Sequence, residues 1–367
     1  MTPEDLTLRL LASHFGNEGD KMSEPTAQLL LQALEFAAEH DVSPLLASGL
    51  RNLPASQSAW RKLLPLVEPL EAQTLARAEI YRTAAAKLIR KLDAIGVTAV
   101  MLKGAAFCLD PWTRATPRIM SDLDVLIAPA DLPRAVEALR NAGMTTAEDL
   151  AGFAEGLHHH FPALYDEEHD VFVELHVRLT QNAEQSPISP QQVFADVDVV
   201  HWQGQTFLLP SPGHRLMHLV VHDQVSNLGY ALRRINLRAA ADAMALQKGG
   251  RVDWSGIRNA FRAIGEERLF MTFVLSLNRL MALPLPFPAS DFRSSEKWVT
   301  HAITALGDPP ATWLTAVRLA RHYAAQFAAH PSRLRLLART LVSPARRQDL
   351  FRINRSRLRR RKPAAAP

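Results

Sequence analysis

Apolar residues recur at three- and four-residue spacing over residues 3–92: Leu29 and Leu30, Ala33 and Leu34, and Ala37 and Ala38 line one stripe, and residues 75–92 are rich in Ala, Leu, Arg and Lys. This period predicts helices. Pro54, Pro65 and Pro69 interrupt it. Proline removes a helical donor and clashes with the preceding turn, so several short helices are expected here and no long coiled coil. The pattern changes after Gly96. Residues 97–102, VTAVML, form a short β-branched apolar run that predicts a buried strand ending at Lys103-Gly104. Residues 105–109 suit a short helix before Pro111, and a polar loop runs to Arg118.

In IMSDLDVLIA, residues 119–128, the alternation sends Leu123, Val125 and Ile127 to one side and Asp122, Asp124 and Leu126 to the other. Residues 131–142 predict a helix with Asp131 as N-cap, Pro133 in the first turn, Ala135, Leu139 and Ala142 as its stripe, and Gly143 as its stop. In VFVELHV, residues 171–177, Phe172, Glu174 and His176 share the face opposite Val171, Val173, Leu175 and Val177. Residues 199–210, with Gly204 near the centre, predict a hairpin, and helical patterns run from His214 to about residue 341. The expectation is an α+β chain: a helical region over 1–94, an α/β core over 95–210, a helical region over 211–342 and a basic tail over 343–367.

Composition sharpens this picture in three ways. At 367 residues the chain can build two or three packed units. No uninterrupted apolar run approaches the ~18 residues of a membrane span, and the acidic start MTPEDL is unlike a secretory signal. Cys108 is the only cysteine, which excludes an internal disulfide or a CxxC metal pair and fits a reducing, cytoplasmic setting with a buried, inert thiol. The net charge of +5 is unevenly placed, because residues 346–362 carry nine Arg and Lys against Asp349 alone. Such a tail could contact nucleic acid weakly by counterion release, although a solvated end is the simpler reading.

The chemistry concentrates on Asp122 and Asp124. Two residues apart on a strand, their carboxylates emerge side by side, with Cβ atoms ~6–7 Å apart, a spacing that suits hard cations. Mg²⁺, or Mn²⁺, takes carboxylate and phosphate oxygens, and two ions ~3.5–4 Å apart can serve both the attacking and leaving oxygens at phosphorus. Glu174 suits the third carboxylate or a general base, because a lone charge is unwelcome in so apolar a segment. Lys103 supplies positive charge to a polyphosphate, Gly104 permits close backbone approach, and Arg118 is placed to neutralise phosphate charge.

These residues resemble a family: the uncharacterised nucleotidyltransferases of the DNA polymerase β-like superfamily. The resemblance rests on Leu102-Lys103-Gly104, Arg118, Ser121-Asp122-Leu123-Asp124, His159-His160, Glu174-Leu175-His176, His218, His222, Leu237-Arg238 and Asp242, in that order over residues 75–265. It implies a small mixed sheet flanked by helices, with Asp122 and Asp124 as metal ligands, Glu174 as third carboxylate, and Lys103, Gly104, Arg118 and Ser121 at the nucleotide. It also implies an NTP substrate and pyrophosphate as product. The chain departs from the wider superfamily in having Ala105 where a serine usually follows the glycine.

The acceptor is not encoded in any motif; a small molecule, a peptide or protein, and RNA are all open. A nucleotide-binding regulatory module of a toxin–antitoxin or biosynthetic operon is the alternative reading. Substrate-site candidates are His160, His176, His222, Arg238 and Asp242. His214, His218 and His222 at four-residue spacing would share one helix face, yet no HExxH arrangement accompanies them to hold zinc. Arg238 and Asp242, also four apart, would form an intrahelical ion pair.

Overall fold

The computed structural model describes residues 1–17, 26–146, 161–180, 183–307 and 317–318. His158, His159, His160 and the basic tail lie outside the described residues. The chain divides into two units, Met1–Ala147 with His158–Pro309, and Glu148–Leu157 with Pro310–Pro367. All the elements named here belong to the first.

The N-terminal stretch forms α1 (Pro3–His14), α2 (Ala27–Glu39), α3 (Leu45–Asn52), a 3-10 run at Ala55–Leu66 and α4 (Glu68–Asp93). The prolines predict only short helices, but α4 has 26 residues. Pro69 sits in its first turn, where a missing N–H costs nothing, so it starts the helix and does not break it. Then come β1 (Ala99–Met101), α5 (Lys103–Leu109), β2 (Asp122–Ile127), α6 (Leu132–Asn141), β3 (Thr145–Thr146), β4 (Leu164–Asp166), β5 (Val171–His176), α7 (Pro190–Ala195), β6 (Val197–Trp202) and β7 (Gln205–Pro210). The β6–β7 hairpin turns on Gln203 and Gly204, both at positive φ, as a two-residue loop requires. Asp131 is not the side-chain cap that the sequence predicts. It ends a 3-10 turn, Pro129–Asp131, and its carboxylate pairs with Arg134 at 3.2 Å.

The strands form one mixed sheet in the order β3-β4-β5-β2-β1-β7-β6. The α+β expectation holds. β2 runs parallel to β5 and antiparallel to β1, which places the acid-bearing strand at the centre. Leu123, Val125, Ile127, Val171, Val173 and Leu175 pack on α4 and α6 in one core. Val100 and Leu126, on the opposite face, join a second core with the helices that follow the sheet.

Those helices are α8 (Pro212–Val220), α9 (Gly229–Leu232), α10 (Leu237–Lys248), α11 (Trp254–Ala263), α12 (Glu267–Met281) and α13 (Glu296–Gly307). Leu6, Leu10, Leu46 and Leu50 of α1 and α3 share the second core with Phe270, Val274 and Leu277 of α12, so the N-terminal helices pack on the helices that follow the sheet. Phe261 and Phe270 stack at its centre, with ring centroids 5.2 Å apart. Asn17 donates to the Met281 carbonyl at 2.6 Å, closing that contact.

After α8 the helix widens into a π-helical turn, Val221–Ser226, so the four-residue spacing of the histidines does not keep them on one regular face. Within this turn Asp223 is buried, and its carboxylate takes a hydrogen bond from the Gln224 amide. Gly229 makes the turn possible: a Cβ there would lie 2.8 Å from the Asp223 carbonyl oxygen. Burial pushes the Asp223 carboxyl up to about 7. The folded state therefore holds this proton more tightly than the unfolded chain does. The stability it contributes is complete below the ordinary aspartate value, near 4, and is lost as pH rises through about 7. Asp223→Asn is expected to leave the Tm near pH 4 unchanged and to raise it by several degrees at pH 8. Parallel Tm–pH profiles for the two proteins would contradict this.

Candidate active site

Parallel pairing of β2 with β5 sets the register Asp122↔Phe172, Asp124↔Glu174 and Leu126↔His176. Paired residues of parallel strands point to the same side of a sheet, so two separate alternations converge on one polar face. Glu174 stands directly across from Asp124. β1 adds the third strand: the Leu102 N–H donates to the Asp124 carbonyl at 2.9 Å, and the chain then turns into α5 at Lys103.

Lys103 takes the left-handed conformation at φ +44°. For a residue with a Cβ this costs about 1–3 kcal/mol, a strain concentrated where sites are built. Its ammonium meets Asp124 Oδ1 at 2.6 Å. On the same oxygen, His176 Nε2 lies at 2.7 Å, and it is 3.6 Å from Glu174 Oε2. His176 is fully buried, so it serves as a wedge between the two carboxylates.

The electrostatics follow from this crowding. Burial works against the Asp124 charge, but Lys103 and His176 overcome it and hold its carboxyl well below the usual range. Burial and the Lys103 charge push His176 down, while its hydrogen bonds to Asp124 and Glu174 outweigh them and leave it raised. Asp122 has no such cation against it. Burial, then the charges of Asp124 and Glu174, push its carboxyl up to about 6, with Lys103 and a Ser121 hydrogen bond opposing. Ser121 itself is exposed at the rim.

Arg118 is not turned to solvent. Its Nε lies 3.0 Å from both carboxylate oxygens of Asp242 on α10, and its guanidinium sits over the Phe107 ring. A Cβ on Gly104 would run into Arg118 Nη1, so glycine lets the arginine lie against the start of α5 without moving. The predicted Arg238–Asp242 pair is therefore corrected: Asp242 takes Arg118, and Arg238 reaches Asp41 at 3.1 Å. Geometry across the chain prevails over i, i+4 proximity.

The histidines separate. His214 faces Asp196 at 3.6 Å, His218 Nε2 lies 3.2 Å from the Leu179 carbonyl, and the His222 ring packs edge-on to His218 at 6.5 Å. Burial and the Lys103 charge hold His218 down, to about 3, and lower His222 as well, so both are neutral at physiological pH. Cys108 is buried, and burial pushes its thiol up to about 12, which makes it unreactive.

Among the described residues, two groups bring three potential ligand atoms within 4.8 Å of one another: Asp124 with Glu174 and His176, and Asp166 with Glu168 and His169. In the second, which the sequence reading missed, Lys87 already bridges Asp166 at 3.0 Å and Glu168 at 2.6 Å. Also missed were Tyr165 and Phe172, although the alternation of residues 171–177 already placed an aromatic on the acid face.

No helix among the described residues is long and apolar enough to cross a membrane. Comparison with known proteins bears directly on the family. A sequence profile described as uncharacterised nucleotidyltransferase matches residues 30–282, more than half of the chain. No curated protein matches. A crystal structure of an antigenic nucleotidyltransferase-like protein from Paracoccidioides brasiliensis is similar at 17% identity, covering 56% of this chain and 98% of that one, with a TM-score of 0.35. The extent of the profile match decides the matter: the chain belongs to the uncharacterised nucleotidyltransferase family.

Proposed function

We propose that the protein transfers a nucleoside monophosphate from an NTP to an acceptor, with pyrophosphate leaving, at the face formed by Asp122, Asp124 and Glu174. The observation that carries this reading is the unbalanced charge of that face. Three carboxylates share it, Lys103 and His176 both meet Asp124, His176 lies 3.6 Å from Glu174, and Asp122 is left with a carboxyl raised to about 6. A divalent cation would supply further positive charge, and carboxylate oxygens are the ligands that Mg²⁺ and Mn²⁺ prefer. The residues fit such an ion. Asp122 and Asp124 would hold it, with Glu174 completing the set, and when bound it would neutralise phosphate oxygens during in-line displacement.

The chain's own groups supply the rest. Lys103 brings an ammonium to the polyphosphate, and Arg118, fixed by Asp242 against Gly104, adds positive charge beside the same turn. That arrangement compensates for the alanine that stands where relatives of the wider superfamily carry serine. Glu174 is positioned to take the proton of the acceptor nucleophile. His176, locked between Asp124 and Glu174, fixes their orientation.

The test is incubation with each α-³²P-labelled NTP, Mg²⁺ or Mn²⁺, and acceptors from host extract. Transfer of label that needs Asp122 and Asp124 is expected. Transfer that persists in the Asp122→Ala, Asp124→Ala double variant overturns the assignment of these acids.

A further inference from the structure

The acid-bearing face does not end at Asp122. Across the sheet, in the order β4-β5-β2-β1, the register places Tyr165 beside Phe172 and Phe172 beside Asp122, all on one side. The Tyr165 and Phe172 rings lie 5.0 Å apart, centroid to centroid, and Phe172 is 40% exposed. A large apolar ring is thus left open to solvent immediately beside a carboxylate. Around it the edge is braced: Tyr165 donates its hydroxyl to Asp170 at 2.9 Å, and Arg77 pairs with Asp170 at 3.3 Å.

This pair stands on the side of β2 away from Lys103. Displacement at phosphorus is in line, so the nucleophile and the leaving pyrophosphate occupy opposite sides of the α-phosphorus. With the polyphosphate at Lys103, the acceptor approaches from β5 and β4. A ring stacked on Phe172 lies about one strand spacing, roughly 5 Å, from the acids, so the reacting hydroxyl must be carried some way from the ring. A hydroxyl on a sugar attached to a planar base has that arrangement; one borne directly on an aromatic ring does not.

Resting on the function proposed above, we infer that Phe172 and Tyr165 form a stacking platform for the acceptor, and that the acceptor is a nucleoside, free or at the end of a strand. In the step, the sugar oxygen bonds to the α-phosphorus and the bond from that phosphorus to the β-phosphate bridging oxygen breaks. Pyrophosphate leaves with the bond's electron pair, and the hydroxyl proton passes to Glu174.

Equilibrium dialysis of the full chain with adenosine, the dinucleotide pApA and ribose 5-phosphate, without NTP, tests this separately from turnover. Adenosine or pApA is expected to bind and ribose 5-phosphate to bind at least tenfold more weakly. Phe172→Ala should weaken the base-bearing ligands about tenfold, the scale of one base–aromatic stack, and Phe172→Trp should retain them. Tighter binding of pApA than adenosine indicates a strand end, and equal binding a free nucleoside; either supports the platform. Binding of neither, or equal losses for ribose 5-phosphate and adenosine in Phe172→Ala, overturns it. A parallel dialysis with Mg²⁺ and α,β-methylene-ATP reports on the donor site. Loss of that ligand in Phe172→Ala, with adenosine unaffected, overturns the assignment by moving the platform to the donor base. Failure of the analogue to bind wild type, with adenosine binding intact, counts against the proposed function alone.

Discussion

Asp122→Asn and Asp124→Asn are expected to cost similar amounts of turnover, about 10³-fold or more each, or roughly 4 kcal/mol of transition-state stabilisation. They should move the stability of the metal-free protein in opposite directions. Asp124 is 1% exposed and accepts from both Lys103 and His176. Removing its charge takes from the half-buried Lys103 ammonium and from buried His176 their shared acceptor, which is expected to cost about 1–3 kcal/mol. Asp122 carries a charge that the folded state disfavours, since burial and its neighbours push its carboxyl up to about 6. Its penalty is absent below the ordinary aspartate value and grows as pH rises through 6, so Asp122→Asn at pH 8 should gain about 1–2 kcal/mol. Thermal unfolding in EDTA at pH 8 separates the two. Equal destabilisation by both substitutions would mean that Asp122 is paired in a way the register does not show.

The second large effect belongs to Asp242. Asp242→Ala removes the buried counter-ion of Arg118 and is expected to destabilise by about 3–5 kcal/mol. Arg118 is then free of its anchor, and the carboxylates Asp122 and Asp124 that already act on its charge become its nearest partners. NTP binding should weaken, seen as a rise in KM greater than the fall in kcat. The pair Arg118→Met with Asp242→Leu should recover much of the stability, because apolar groups can replace a buried ion pair, while NTP turnover stays low. Recovery of both by the double variant would show that the ion pair only braces the fold.

How legible this was follows from the range of each interaction. The period-two alternation of residues 122–127 and 171–176 is local, and by itself it places Asp122 and Asp124 on one strand face and Phe172, Glu174 and His176 on another. What alternation cannot supply is register, and it is register that sets Asp124 opposite Glu174 and seals His176 between them. Arg118 and Asp242 are 124 residues apart, so nothing near either in sequence announces the pair. The nearby Arg238 suggested a helical partner that tertiary packing took away. β3 and β4, two and three residues long, are too short to show a period. The π-helical turn is not legible for another reason: Gly229 permits the close approach of the Asp223 carbonyl, and helical propensity does not encode it.

In the proposed reaction the α-phosphorus is the atom attacked, at the face of Asp122, Asp124 and Glu174. The most direct measurement uses two preparations of the same NTP, one labelled with ³²P at the α-position and one at the γ-position, with Mg²⁺ and an acceptor that turns over. Label is expected in the product from the α-preparation only, with the γ-label recovered as pyrophosphate, and transfer by Asp124→Asn is expected to fall by about 10³-fold or more. Label in the product from the γ-preparation would contradict it.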